Sequence, residues 1–452
     1  MLPFFPAGCS TLPQEGMTGI FLLKKAQHKD KHNIMKLRHL NIEEKSDPGS
    51  IQQEPPLGEA AALCIITVLL ILFGLVMLYS TSFGIARTAY GLAGSSLFVK
   101  QLQWTVVGLG GMCAVVFLGY RRLCSWSTLL MIAVALMLCL ALCFPAVKGA
   151  RRWIQIPGIG NIQPSEFAKV VISLFLAKFC SEKIKLIEKK PWKSLFIAGL
   201  ATGSVILLVF AGKDLGTSAL LVVIFFSVLY AAGLRLICIL PWVVAAPVAG
   251  FFLIKHFSPF RWARLISFTD PEMYADKIGY QLWHSILALG SGNWTGRGFT
   301  ESRFKFRYLP EAHTDFILSI VGEELGFISL CCVILVYIVY IFLVIRISVK
   351  ARTRQGTLIA YAVGTFIAVQ AIINIGVISG AFPTKGMPAP FISYGGSSLV
   401  TCLAATGLVV SVALDAAYPE YQRILWENIC NFLHAKFPFL FRKKEAGKME
   451  NE

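Results

Sequence analysis

AALCIITVLLILFGLVMLYS, residues Ala61–Ser80, contains no Asp, Glu, Lys or Arg. At about 1.5 Å of rise per residue, such a run reaches across the ~30 Å hydrocarbon core of a bilayer as one helix. Further runs are equally free of charge: Leu102–Leu118, Trp126–Ala146, Leu195–Gly212, Leu215–Leu234, Leu236–Ile254, Thr357–Thr384 and Tyr394–Leu414. Each is near or above spanning length. Two more apolar stretches carry charge, Glu166–Cys180 and the unusually long Phe316–Ile345. Together they predict an all-α integral membrane fold of about ten transmembrane helices. The 452 residues are 56% hydrophobic and only 15% charged, whereas a soluble domain carries about a quarter.

The formal net charge of +17 raises nucleic acid as a partner, but its placement points elsewhere. With the N-terminus cytoplasmic and sides alternating, the short inner loops hold Arg121 and Arg122, the lysines between Lys183 and Lys193, Arg235, and Arg346, Lys350, Arg352 and Arg354. That is the positive-inside bias, with contact to anionic lipid as a second use of the excess. Both termini are then cytoplasmic, and no nucleic acid is expected. Residues 1–60 read as a disordered cytoplasmic tail, with Met17 and Met35 as alternative initiators. The run around Ile20–Leu23 is too short for a cleavable signal. Residues 61–416 form the membrane domain, with a long outer loop over about 255–313. Residues 417–452 form a basic cytoplasmic tail, in which YQRILWENICNFLHAKFPFLFRKK mixes aromatics with bases in the manner of an interfacial helix. The twelve cysteines lie mostly inside apolar spans and make no C-x-x-C pair. They read as small packing residues, without disulfides.

Chemistry-bearing residues gather in the outer loops. In QPSEFAK (163–169), Pro164 and Ser165 start a helix, and the three-residue spacing puts Glu166 and Lys169 on one face. Two readings stay open: a structural pair pinning this helix, or part of a polar cavity for a charged head group. Upstream, KGARRWI (148–154) offers Arg151, Arg152 and Trp153, and guanidinium suits phosphate. In YLPEAHTDF (308–316), Asp315 lies in or just before the first turn of the longest apolar helix. An exposed acid there gains at most about 1 kcal/mol from the helix dipole. Glu311 and His313 share the segment, and Arg303, Lys305 and Arg307 precede it. Such an acid beside cations could serve glycosyl transfer from a sugar diphosphate, as a base for the attacking hydroxyl while the cations neutralise the departing diphosphate.

Glu323 and Glu324 lie about 12–14 Å deeper along that helix, lining the same cavity or bonding to another helix. In PTKGMPAPFISYGGSS (383–398), Lys385, Ser393 and the glycines form a loop re-entering the membrane edge. Its amides could hold anionic oxygens, or it could be a helix-capping turn. Lys213 and Asp214 read as a local pair. No P-loop, no G-x-G-x-x-G after a strand, no H-E-x-x-H and no G-x-S-x-G is present. Asn293-Trp294-Thr295 matches only the weak glycosylation pattern.

GARRWIQIPGIGNIQPSEFAK, KDLGTSALL, GYQLWHSILALGSGNWTGRG, YLPEAHTDFILSIVGEELGF and PTKGMPAPFISYGGSS, in this order, resemble the SEDS family (shape, elongation, division and sporulation) of bacteria. The resemblance covers about Ala61 to Ala416, and PTKG is closer to the division branch than to the elongation branch. It implies ten helices with a long outer loop between the seventh and eighth. It also implies a peptidoglycan glycosyltransferase that adds lipid II units to a growing glycan strand on the outer face of the cytoplasmic (inner) membrane, at the division site. The implied partners are a class B penicillin-binding transpeptidase and other divisome membrane proteins.

The family's essential acid falls on Asp315, its Glu and Lys on Glu166 and Lys169, its Trp on Trp153, and its PTKG lysine on Lys385. Arg in GARRW where Gln is frequent, the missing double glycine of GSGNWTGRG, and Ala389 in place of leucine depart from the pattern without touching the acid. Arg261, Arg264, Lys305 and Lys385 are the candidates to stabilise a leaving polyprenyl diphosphate, with Glu311, His313 and Ser393 as further substrate-binding candidates. No cofactor is assigned, and a divalent cation is left open. A transporter of the lipid-linked precursor predicts polar residues through the membrane depth, which most of these spans lack. A non-catalytic division scaffold predicts tolerance of Asp315→Asn.

Overall fold

The computed structural model describes residues 54–89, 96–147, 149–157, 160–257, 259–306 and 308–420. The N-terminal tail before residue 54 and the basic C-terminal stretch after residue 420 lie outside the described residues. Helices α1 (Leu57–Ala89), α2 (Ser96–Leu118), α3 (Tyr120–Ser125) and α4 (Ser127–Cys143) precede a hairpin of β1 (Ile154–Ile156) and β2 (Gly160–Ile162). Then follow α5 (Pro164–Glu182), α6 (Ile184–Lys189), α7 (Pro191–Ala211), α8 (Leu215–Ala231), α9 (Leu236–Phe257) and α10 (Pro259–Thr269). The last four are α11 (Tyr280–Ser291), α12 (Ile317–Val349), α13 (Arg354–Ile378) and α14 (Gly396–Ala417).

Among the described residues, six helices (α1, α2, α7, α12, α13 and α14) are long and apolar enough to cross a membrane, and α4, α8 and the first part of α9 are shorter apolar helices. The charged stretch predicted from Glu166 is α5, so every segment read as a span coincides with a helix. Chain chemistry sets their ends. Pro164 and Pro191 sit in the first turns of α5 and α7, where the missing N–H costs nothing. Asp214 caps α8 through the Thr217 N–H at 3.3 Å, and Thr353 caps α13 through the Gly356 N–H at 3.1 Å.

Helix α14 is the most enclosed of the six and packs against α2, α13 and α5, while α12 packs along α13 and α1. The outer faces stay apolar and uncovered. Ile65 and Leu69 on α1 are 60% and 57% exposed while Leu63 and Met77 are fully buried, as a lipid-facing helix requires. Helix α9, interrupted by Pro241 and Pro247, has its most extensive contact with α10 and turns Ile237, Leu240 and Val244 outward.

Two features were absent from the sequence expectation. The loop at 147–165 contains an antiparallel hairpin pairing Ile154 with Ile162 and Ile156 with Gly160, signalled by the Ile-Gln-Ile run before Pro157. Helix α12 is broken at Gly326 (φ 82°, ψ 177°). The loop after α11 repairs the break. The N–H groups of Arg297 and Gly298 donate to the Glu323 and Glu324 carbonyls at 3.0 Å each, and those of Phe327 and Ile328 donate to the Asn293 and Trp294 carbonyls at 2.9 and 3.2 Å. Four backbone groups at the kink thus find partners in the loop, as an apolar setting demands.

This exchange needs bare backbones in contact, since a Cβ on Gly292 would land on the Gly322 carbonyl. Gly292→Ala should therefore cost about 2–3 kcal/mol, read as a lowered thermal midpoint of the detergent-solubilised protein. Gly110→Ala, with open space around it, should leave that midpoint unchanged.

Candidate functional site

Asp315 precedes α12 by two residues, in a turn built on Glu311. Glu311 adopts φ 60°, and its carbonyl accepts from the N–H groups of Thr314 and Phe316 at 3.1 and 3.3 Å. The Thr314 hydroxyl donates to the Glu311 carboxylate at 2.9 Å. The half-buried Asp315 carboxylate rests against Gly386: a Cβ there would lie 2.7 Å from Asp315 Oδ2. The PTKG glycine is therefore a close-approach glycine. Asn374 on α13 ties the two segments together, its amide donating to the Asp315 carbonyl at 2.8 Å and to the Met387 carbonyl at 2.7 Å. The Tyr394 N–H donates to the His313 carbonyl at 3.0 Å, and the two rings lie 5.6 Å apart. The sequence placed the acid and the lysine on separate loops, and the fold brings those loops together.

The cations divide into two kinds. Arg264, on α10, lies within the field of Asp315; burial pulls its guanidinium below the ordinary arginine value and Asp315 opposes the shift. Burial likewise pulls Lys385 below the usual lysine range, and Asp214 opposes that shift. Arg261 reaches the Lys213 carbonyl at 3.4 Å. Lys305 is differently placed. It is 2% exposed and its ammonium donates to Glu324 at 2.7 Å, to the Thr300 carbonyl at 2.7 Å and to Ser80 at 3.0 Å. With its donors spent on the protein, it is committed to pinning the outer loop to α1 and α12. Glu323 and Glu324 are fully buried; the second accepts from Ser80 of α1, as bonding to another helix expects, whereas the first accepts from the Ser302 hydroxyl and the Arg303 N–H of the preceding loop.

Glu166 and Lys169 form a buried ion pair at 2.8 Å, and Lys169 also donates to Gln370 Oε1 at 2.9 Å. Gln370 in turn donates to the Pro388 carbonyl at 2.8 Å, so the pair is wired to the underside of the PTKG loop. These contacts are those of a structural pair, with Lys169 linking α5 to α13. The Ser393 hydroxyl accepts from the Ala389 N–H at 2.8 Å, closing the turn of that loop. The Arg152 guanidinium sits 5.7 Å over the Trp153 ring.

Asp214 corrects one expectation. Its partners are Gln163, Ser165 and Thr217, at 2.8, 2.9 and 3.0 Å, with Arg152 at 3.6 Å. Lys213, held at φ 62°, is not among the groups found on the Asp214 carboxylate. The amides Gln101, Gln163, Gln370 and Asn374 were missed as site residues. Gln370 and Asn374, four apart in an otherwise apolar helix, carried the available signal. Among the described residues no three His, Cys, Asp or Glu side chains converge as a metal cluster. A divalent cation at Asp315 would draw its other ligands from phosphate oxygens or water.

The profile of the cell cycle protein family named for FtsW, RodA and SpoVE matches residues 60–418. The chain belongs to this family. It is 36% identical over 360 residues to the probable peptidoglycan glycosyltransferase FtsW of Trichlorobacter lovleyi, covering 78% of this chain and 92% of that one. It is 37% identical over 362 residues to the stage V sporulation protein E of Bacillus subtilis, covering 79% of this chain and 97% of the relative. Among solved structures it resembles a chain of a peptidoglycan synthase complex that coordinates polymerization and crosslinking (TM-score 0.65, 25% identity, 79% and 98% coverage). It also resembles the rod shape determining protein RodA of Thermus thermophilus (TM-score 0.58, 25% identity, 78% and 96% coverage). With six helices of spanning length and composition, the family member is a multi-pass membrane protein.

The buried Lys305–Glu324 pair makes a stability forecast. Lys305→Ala strands the Glu324 charge and should cost about 3–5 kcal/mol, while Lys305→Met with Glu324→Gln should recover most of it. Thermal unfolding in detergent measures both.

Proposed function

We propose that this family member is a peptidoglycan glycosyltransferase that extends glycan strands from lipid II, with Asp315 as its general base. The observation that carries the reading is the half-buried Asp315 carboxylate lodged against Gly386, the residue that follows Lys385 in the chain, and within the field of Arg264. The acceptor sugar hydroxyl passes its proton to Asp315 as its oxygen bonds to the anomeric carbon of the donor. The bond from that carbon to the diphosphate breaks, and the electron pair leaves with the polyprenyl diphosphate. Loop cations lower the barrier by meeting the charge that develops on the departing oxygens. Lys385, Arg264 and Arg261 are the candidates; Lys305, already inside an ion pair, supports the loop instead.

The reading places about ten helices across the cytoplasmic membrane, with both termini inside and the site on the outer face. Relatives named FtsW favour septal wall synthesis and the division site. The likeness to a chain of a peptidoglycan synthase complex favours a class B penicillin-binding transpeptidase as partner, alongside other divisome proteins. Purified Asp315→Ala supplied with lipid II should form no polymer while keeping the wild-type thermal midpoint. Retention of full polymerisation would remove Asp315 as the base. Head-group translocation in sealed vesicles without polymerisation would replace the reading with transport.

A further inference from the structure

The polymerase mechanism uses Asp315 and the loop cations but leaves a second outer carboxylate unexplained. Asp214 is 3% exposed at the start of α8, and its oxygens accept from three side chains and one backbone N–H. A cap alone would need one of these. The same carboxylate meets Arg152, from the loop before β1, at 3.6 Å. Lys385, from the PTKG loop, lies within the field of the same acid. A Cβ on Gly216 would fall 2.9 Å from Lys385 Cε and 3.6 Å from Asp214 Oδ1, so the bare glycine is what lets the lysine stem lie beside the acid. The next residue in that loop is Gly386, against which the Asp315 carboxylate sits.

We propose that Asp214 is a positioning residue whose single carboxylate gathers Arg152 and Lys385, delivered by separate loops, into one cationic pair flanking the catalytic acid. The proposal rests on the polymerase reading for its functional meaning, though not for its geometry. Lys385 serves a leaving diphosphate best while charged, and burial works against that charge. The charged groups of the elements packed here are Asp214 and Lys213 at the α7–α8 turn, Arg152 before β1, Arg261 and Arg264 on α10, and Asp315 before α12. Glu311 before α12, and Glu166 with its partner Lys169 on α5, complete this set; of its acids, Asp214 is the one that favours the ammonium form of Lys385. Take that charge away, and the lysine loses its proton at lower pH. Activity that depends on charged Lys385 is present below that pH and lost above it, so the alkaline limb moves down.

The experiment compares wild type, Asp214→Asn and Gly216→Ala as purified full chains. Asp214→Asn keeps the cap and the side-chain shape while removing charge. Gly216→Ala leaves the carboxylate and pushes the lysine stem off it. Two readouts are taken: the pH profile of lipid II polymerisation, and the rate at which an amine-acylating reagent labels Lys385, followed by mass spectrometry. The labelling needs no activity. Both variants should label about fivefold faster at neutral pH, a modest loss of ion-pair attraction, and should lose polymerisation at lower pH than wild type. Adding Lys385→Arg to Asp214→Asn should restore the alkaline activity, because guanidinium stays charged. Unchanged labelling in both variants, or an equal loss at every pH that Lys385→Arg does not rescue, overturns the proposal. A wild type that makes no polymer while its Lys385 labelling still responds to Asp214→Asn overturns the polymerase reading and leaves the coupling standing.

Discussion

Two carboxamides one turn apart on α13 hold the site in register. Gln370 and Asn374 are buried in a helix whose other residues between Thr357 and Ile378 are almost all apolar or small. A buried amide is costly unless bonded, and these two donate to the carbonyls of Asp315, Met387 and Pro388. Two segments some seventy residues apart in sequence are thereby fixed to one helix face, with the carboxylate of one against the glycine of the other. Without this tether the acid and the PTKG lysine would be properties of two independent loops.

The charges fall into those that are finished and those held in tension. Lys169 with Glu166, Lys305 with Glu324 and Arg121 with Asp415 are paired at 2.9 Å or less, each with a partner buried enough that separation would be expensive. These are scaffold. Lys385 instead carries the opposed pulls of burial and a nearby acid. Such a poised cation can answer a negative charge that comes and goes during a reaction, whereas a cation already locked to a buried acid cannot.

The apolar helices were legible because charge-free runs of twenty residues have few alternatives in any fold. The position of Asp315 at the mouth of α12 was legible for the same reason, since hydropathy shows where the helix starts. The difference between Lys305 and Lys385 was not. Both are single lysines in loops, and only the tertiary structure shows that one bonds to Glu324, 19 residues further along the chain, while the other lies within the field of Asp214 from a different loop. The Lys213–Asp214 pairing failed because adjacency in sequence says little about which way two side chains leave a tight turn. Gln370 and Asn374 were passed over because amides in apolar helices draw less notice than charges, although the cost of leaving them unbonded is of the same kind.

The break at Gly326 changes where the membrane can lie along α12. As an unbroken helix, its 33 residues would measure roughly 50 Å, far more than a hydrocarbon core of about 30 Å. The stretch from Phe327 to Val349 would measure roughly 35 Å, which matches that thickness with little tilt. With the bilayer on that stretch, the part before Gly326, which carries Glu323 and Glu324 and follows directly on Asp315, would form a platform above the lipid. Hydropathy alone draws the boundary more than two turns further out, and would submerge the acid's own support in oil.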